Sequence, residues 1–325
     1  MTQSHEIRVG DCLDALRAMP DQSFHCCITS PPYFGLRDYG VDGQIGLEQT
    51  PAEFVSRLVE VFREVRRVLR DDGTLWLNLG DSYANDGKWG GSSGGKHASA
   101  LHGNTSIGRT KVRTGLKPKD LIGIPWRLAF ALQDDGWYLR QDIIWHKPNP
   151  MPESVRDRCT KAHEYVFMLS KSPRYYYDHE AVKEDAVSDH PSGNGFKRDA
   201  RESYKNLDGT ARGNDEQWTG VGGKRNRRSV WTVPTAGFKG AHFATFPPDL
   251  IRPCVLAGAP RGGLVLDPFG GAGTTALVAM QEGRRSVLLE LNPEYASIAR
   301  HRLASAWLEG AAQLDLLHDQ KESVA

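Results

Sequence analysis

The sequence predicts an α/β protein built on a mostly parallel, twisted sheet with helices on both faces. Three observations carry that reading. The first eighty residues alternate strand, helix, strand, helix, strand, the order that parallel sheets require. Towards the other end, Leu264-Val265-Leu266-Asp267 runs into Pro268-Phe269-Gly270-Gly271-Ala272-Gly273 and then a helix, a strand-to-helix junction with glycine freedom. Long polar, glycine-rich stretches separate the regular parts, so one large domain with insertions, or two domains, fits 325 residues.

Ile7-Arg8-Val9 is a short strand ending at Gly10-Asp11, followed by a helical stretch to Met19. Asp11 can cap that helix or accept from a ligand amine or hydroxyl. Phe24-His25-Cys26-Cys27-Ile28 is apolar enough for a buried strand. Thr29-Ser30-Pro31-Pro32-Tyr33 ends it. Two prolines donate no ladder hydrogen bonds and hold φ near about −65°, so the chain leaves the sheet as a stiff, extended turn. Open α/β sheets place ligands at such strand ends. Here a hydroxyl (Ser30), the Pro31 carbonyl and a flat aromatic (Tyr33) can hold a planar ring by its face and an amino group by its edge.

Thr50-Pro51-Ala52-Glu53 opens the next helix with a capping box and proline in the first turn. Phe54, Leu58, Phe62, Val65 and Leu69 give it one apolar face, and Asp72-Gly73 reads as its end. Strands over 75–79, 138–145 and 164–169 and helices over 125–132 and 248–258 follow. In the glycine segment the backbone can approach a ligand, and the following helix presents free N–H groups. Glu290 ends the next strand, 23 positions after Asp267. That is close to the spacing of about 20 at which an acid meets ribose hydroxyls in dinucleotide-type folds. No Lys-Ser/Thr follows the glycines, which excludes a P-loop, and their spacing departs from GxGxxG. A final helix starts at Pro293 and reaches about Leu308.

Net charge is +1, but it is unevenly spread. Residues 84–119 hold seven Lys/Arg against one Asp, with eight glycines, and residues 197–228 hold nine Lys/Arg against five Asp/Glu. The rest of the chain is net acidic, a distribution that points to a polyanion partner or to solvated loops. Five cysteines without CxxC spacing suggest neither disulfides nor a metal site. No apolar run approaches the length that spans a membrane, and the first residues lack a signal-peptide layout, so a cytoplasmic location is expected.

Together, the two dense segments resemble the amino-group DNA methyltransferases that use S-adenosylmethionine. Asp267-Pro268-Phe269-Gly270-Gly271-Ala272-Gly273 resembles their cofactor loop, and Thr29-Ser30-Pro31-Pro32-Tyr33 resembles their catalytic turn. The catalytic segment comes first and the cofactor segment last, the circularly permuted order of the family's beta group. His242-Phe243-Ala244-Thr245-Phe246-Pro247 and Ile144-Trp145-His146-Lys147-Pro148-Asn149 also look familiar from that group. The resemblance covers roughly residues 5–83, 119–178 and 229–308.

It implies a Rossmann-like methyltransferase fold, with residues 1–177 and 229–325 as the catalytic and cofactor-binding domain. The basic loop 84–119 would be part of it, and 178–228 would be an inserted target-recognition region. It implies catalytic roles for Ser30, Pro31, Pro32 and Tyr33, and S-adenosylmethionine contacts from Asp11, Asp267, Phe269, Gly271, Gly273 and Glu290. For Asp267, a structural strand-end role stays equally open. The implied substrate is double-stranded DNA with a flipped-out base, methylated on the exocyclic N4 of cytosine. Adenine N6 is the alternative, and an RNA or protein amide substrate a more remote one. The resemblance leaves a restriction endonuclease partner and the oligomeric state open.

Overall fold

The computed structural model describes residues 4–35, 40–84, 116–185, 224–235 and 245–322, the last fourteen by backbone alone. Most of the two insertions, and His242-Phe243-Ala244, lie outside the described residues. The chain forms two units, one made of Met1–Asp178 with Ser229–Ala325 and the other of His179–Arg228.

In the larger unit, the elements in chain order are β1 (His5–Val9), α1 (Cys12–Arg17), β2 (Phe24–Thr29), α2 (Pro51–Val68), β3 (Leu69–Leu79), α3 (Ile124–Asp134), β4 (Tyr138–His146) and β5 (His163–Ser170). In the smaller unit, β6 (Glu184–Asp185) pairs antiparallel with β7 (Lys224–Arg225), and Glu184 accepts from Arg225 and Arg228 at 2.9 and 2.8 Å. The larger unit resumes with β8 (Val230–Thr232), α4 (Pro248–Gly258), β9 (Leu264–Asp267), α5 (Thr274–Gln281), β10 (Arg285–Glu290) and α6 (Pro293–Glu322).

Eight strands form one sheet in the order β1-β10-β9-β2-β3-β5-β4-β8. All neighbours are parallel except those of β5, which runs opposite to β3 and to β4. The C-terminal ends of β2, β3, β4, β9 and β10 therefore lie along one edge, and the start of β5 joins them there. The sheet brings the two ends of the sequence side by side: β9 pairs with β2, and β10 with β1. The parallel pairing is what the strand–helix alternation predicts, and the whole is the Rossmann-like arrangement that the family resemblance implies.

Side-chain alternation divides the core. Cys27, Leu75, Leu77, Leu79 and Phe167 join Leu16 of α1, Phe54, Leu58, Val61, Phe62 and Val65 of α2, and Leu128 and Leu132 of α3. Each fully buried large apolar side chain contributes about 2 kcal/mol. Cys26 and Trp76 meet α4 on the opposite face, where a Cβ on Gly258 would lie 2.9 Å from Trp76 Nε1 and 3.0 Å from Cys26 Cβ. Both strand cysteines are fully buried, with the Cys26 thiol pushed up to about 12 by burial; neither is an accessible nucleophile.

Local rules explain the boundaries. Thr50 caps α2 in a reciprocal box with Glu53. Gly123, at φ +77°, turns the chain into α3, and the Asp81 carboxylate accepts from the Gly123 and Ile124 amides at 3.0 and 3.2 Å. Two boundaries differ from the sequence reading. Helix α2 stops at Val68 and β3 starts at once, so Arg70-Asp71-Asp72-Gly73 is an irregular stretch between the Phe24–Leu69 and Cys26–Thr74 pairs. The polar run that looks like a turn is absorbed as a bulge because Leu69 is buried and pairs with β2. Helix α6 continues to Glu322, well past Leu308, over residues that are good helix formers.

Candidate active site

The diproline turn and the glycine loop face one cavity. It has a volume of about 160 Å³, roughly ten times what a single water needs. Ser30, Pro31, Pro32 and Tyr33 line it from the end of β2. Asp267, Pro268, Phe269, Gly270 and Gly271 line it from β9, and Glu290, Leu291 and Asn292 from the end of β10. Asp11 contributes from the end of β1. Segments from the two ends of the sequence thus share one space because β2, β9, β10 and β1 are neighbours.

Asp267 joins the two motifs directly. Its Oδ1 accepts from the Thr29 hydroxyl at 2.7 Å and from the Phe269 amide at 3.0 Å; Oδ2 accepts from the Thr275 hydroxyl at 2.6 Å. The residue is 1% exposed. Burial raises its carboxyl to about 6, against the three hydrogen bonds that favour the charged form. Of the two roles left open by the sequence, the tether is plain: one carboxylate fixes the residue before Ser30 relative to the residue that starts the glycine loop.

Glu290 is also engaged by backbone. It accepts from Gly271 N at 2.7 Å and from Asn292 N at 2.8 Å, one on each oxygen. Each carboxylate oxygen keeps a second lone pair for a ligand hydroxyl. Burial raises its pKa. Asp11 caps α1, with Oδ1 accepting from Leu13 N at 2.8 Å and Asp14 N at 3.1 Å, while the residue also faces the cavity. Capping and cavity lining coexist there.

Gly273 differs from the expectation. It does not line the cavity; it is the left-handed N-cap of α5 at φ +78°, and a Cβ there would lie 2.9 Å from Ala299 Cβ of α6. Its missing side chain admits α6 to the loop. Gly271, at φ +50°, lines the cavity, and a Cβ there would meet nothing closer than the Phe269 carbonyl at 3.9 Å. Gly273→Ala is therefore expected to destabilise the protein by about 2 kcal/mol or more, and Gly271→Ala by about 1 kcal/mol. Urea unfolding of both variants checks this, and a larger loss at Gly271 would contradict the packing account.

The Tyr33 hydroxyl donates to Glu164 Oε2 at 2.6 Å. Burial, first, and the neighbouring Glu164 raise the Tyr33 pKa well above its usual value, so the phenol stays protonated. Its ring still lines the cavity. Sequence reasoning missed Thr29 and Thr275, the flanking hydroxyls that hold Asp267. It also missed the wall formed by Val41, Gln44 and Ile45, and Tyr295 of α6. Only a threonine beside each motif hinted at the first pair. Of the described residues of the His242–Pro247 segment, Thr245 and Phe246 line the cavity.

Comparison with known proteins agrees with this geometry. The DNA methylase model of the N6/N4 methyltransferases matches residues 24–301. Type II methyltransferase M.Cfr9I of Citrobacter freundii is 52% identical over 298 residues, covering 90% of this chain and 86% of the relative. Type II methyltransferase M.SmaI of Serratia marcescens is 48% identical over 301 residues, covering 93% and 91%. The PvuII DNA methyltransferase (cytosine-N4-specific) shares the fold with a TM-score of 0.62 at 20% identity, covering 93% of this chain and 87% of that one. A Thermus thermophilus protein described as a DNA modification methylase, solved with S-adenosyl-L-methionine, gives 0.56 at 25% identity, covering 93% and 95%. With a glycine loop and a diproline turn meeting in one cavity and half-identical relatives along nearly the whole chain, this protein belongs to the Type II DNA methylases, the S-adenosylmethionine-dependent amino-methyltransferases of the N4/N6 family in beta-group motif order.

Proposed function

We propose that the enzyme methylates the exocyclic N4 of cytosine in a specific double-stranded DNA site. The observation that carries this reading is the serine at position 30, on a turn facing the cofactor cavity. Serine at the first position of this turn is commoner among the family's cytosine-N4 enzymes and aspartate among its adenine-N6 enzymes. The fold neighbour described as cytosine-N4-specific is in line with it.

The cavity suits S-adenosylmethionine: two carboxylates, Glu290 and Asp11, can accept from ribose hydroxyls or an amine, and Phe246 and Phe269 supply flat apolar surface. Bound there, the cofactor supplies a methyl group on a sulfonium. Glu290 would take the ribose hydroxyls and Gly271 would let the backbone come close. Phe269 would shape the pocket, and Asp11 would meet the adenine or methionine end.

The chain's own residues then act on the amine. An exocyclic NH₂ is a poor nucleophile because its lone pair is spread into the ring. Ser30 Oγ and the Pro31 carbonyl would each accept one N–H, drawing the nitrogen towards tetrahedral geometry and localising the lone pair in line with the methyl. Pro31 and Pro32 hold those acceptors rigid, and Tyr33 offers a face to the base. Positioning and electrostatics supply the rate, and no covalent intermediate is required. The base must leave the duplex, at a cost of a few kcal/mol.

The unit His179–Arg228 is proposed as the target-recognition region, with the basic stretch 84–119 contacting phosphates. DNA affinity is then expected to fall steeply with salt, and deletion of 88–112 to weaken DNA binding while the thermal transition persists. Unchanged affinity in a filter-binding salt series would remove that role. The proposed setting is restriction–modification in the cytoplasm.

Mass analysis of nucleosides from DNA incubated with the enzyme and labelled cofactor tests the target base. N4-methylcytosine is the expected product. Recovery of N6-methyladenine alone would replace this reading with the adenine one.

A further inference from the structure

The segment Ile144-Trp145-His146-Lys147-Pro148-Asn149 takes no part in the cofactor cavity, yet β4 delivers it to the same edge of the sheet as Ser30. Its side chains are built into the neighbouring loops. Trp145 Nε1 donates to the Val233 carbonyl at 2.8 Å, and the Asn149 side chain accepts from Thr235 N at 3.0 Å. Lys147 Nζ lies 4.3 Å from the centroid of the Trp145 ring and forms an ion pair with Glu164. Both partners are largely buried, with side chains 18% and 14% exposed.

Glu164 in turn holds Tyr33. Its Oε2 accepts from the Tyr33 hydroxyl at 2.6 Å and from Asn78 Nδ2 at 3.3 Å, and Asn78 is itself fixed on the Tyr165 carbonyl at 3.0 Å. A second constraint acts on the edge of the ring. A Cβ on Gly80 would lie 2.6 Å from Tyr33 Cε2 and 3.3 Å from Glu164 Cδ, so the slot exists only because position 80 has no side chain. With its hydroxyl engaged at one end and its edge against Gly80, the ring has one pose.

We propose that Glu164, anchored by Lys147, is a positioning residue that fixes the Tyr33 ring as the wall against which the extruded base lies. The proposal rests on the reading of Tyr33 as the base-facing aromatic. The Tyr33 hydroxyl serves the protein and not the base, which meets the ring by its face. Lys147 supplies the counter-charge that a largely buried carboxylate needs. Gly80 keeps the slot open. A ring free to turn would misplace the amine by a fraction of an ångström to one ångström, and displacements of that size cost up to about 100-fold in rate.

The test is single-turnover methylation of plasmid DNA by Tyr33→Phe, Glu164→Ala, Glu164→Gln, Gly80→Ala and the Tyr33→Phe/Glu164→Ala double variant. Cofactor affinity is measured alongside by calorimetry. Tyr33→Phe and Glu164→Ala should each lose about 10- to 100-fold in the methylation rate, with cofactor affinity within about threefold of the parent. The double variant should lose clearly less than the product of the two single losses, because the two changes share the Tyr33–Glu164 contact. The sharing is partial: the Tyr33 hydroxyl also meets the Ser30 side chain, and Glu164 also holds Lys147 and Asn78. Glu164→Gln, which still offers an acceptor, should recover most of the loss, and Gly80→Ala should lose at least as much as Tyr33→Phe. Multiplicative losses in the double variant, a fully active Tyr33→Phe, or a parallel fall in cofactor affinity would each overturn the proposal. A parent enzyme that methylates neither cytosine nor adenine would instead overturn the roles assigned to the turn, so the two failures are distinct.

Discussion

Ser30→Ala is expected to lower methyl transfer by about 100- to 1,000-fold while S-adenosylmethionine binding stays within about threefold. The expectation follows from which groups hold which half of the cavity. The glycine loop, Glu290 and Asp11 are fixed by their own backbone contacts: Glu290 by Gly271 N and Asn292 N, Asp11 by the first turn of α1. None of these depends on the Ser30 hydroxyl. Ser30 is half-buried at the end of β2, and the two prolines keep its backbone in place when the side chain is cut back. In the proposed mechanism, what is lost is an acceptor aimed where the amine changes geometry, the kind of preorganised group whose removal lowers rate more than binding. Calorimetry with cofactor and single-turnover methylation of plasmid DNA measure the two quantities separately. Equal losses in both would make the turn a structural element.

Asp267→Ala should show the opposite pattern, with stability and cofactor binding failing together. Removing that carboxylate strips partners from the Thr29 hydroxyl, the Thr275 hydroxyl and the Phe269 amide at once, in a site with almost no solvent. Each orphaned buried group costs about 1–3 kcal/mol, so a loss of about 4 kcal/mol is expected in urea unfolding. Asp267→Asn isolates the charge. Burial lifts the folded carboxyl to about 6 from an ordinary value of 3.8. A raised pKa contributes stability fully below the unfolded value, and that contribution is lost as pH rises through the folded one. The parent should therefore lose about 3 kcal/mol relative to Asp267→Asn between pH 3.8 and pH 7. A stability difference that stays flat over that range would mean that the carboxylate is not buried as an ion.

Much of the fold is written in local patterns. The apolar run Phe24–Ile28, the face Phe54–Leu58–Phe62–Val65 and the box Thr50–Glu53 each declare their element without help from the rest of the chain. The Ser30 turn and the Phe269–Gly271 bend are legible for the same reason: proline and glycine restrict or free the backbone wherever they stand. Features set by tertiary contact were not legible. Thr29 and Asp267 meet across 238 residues, and neither belongs to a periodic pattern. Gly273 reads as a ligand glycine until Ala299 of α6 is seen against it. Tyr33 reads as free to stack, whereas Glu164 had no visible reason to reach it. Leu69 shows how burial overrides propensity: pairing with Phe24 pulls the start of β3 back to the end of α2, through a polar run that alone would be a turn.

The pairing of β9 with β2 and of β10 with β1 also fixes the timetable of biosynthesis. When a ribosome has made everything before β9, β2 already carries its serine corner, but the strands that complete its neighbourhood have not been translated. The growing polypeptide thus exposes a bare strand margin until β9 is made, a surface prone to mispairing that nascent-chain chaperones are suited to cover. The cavity cannot close before β9 and β10 have been made, since residues at the ends of those strands complete its lining.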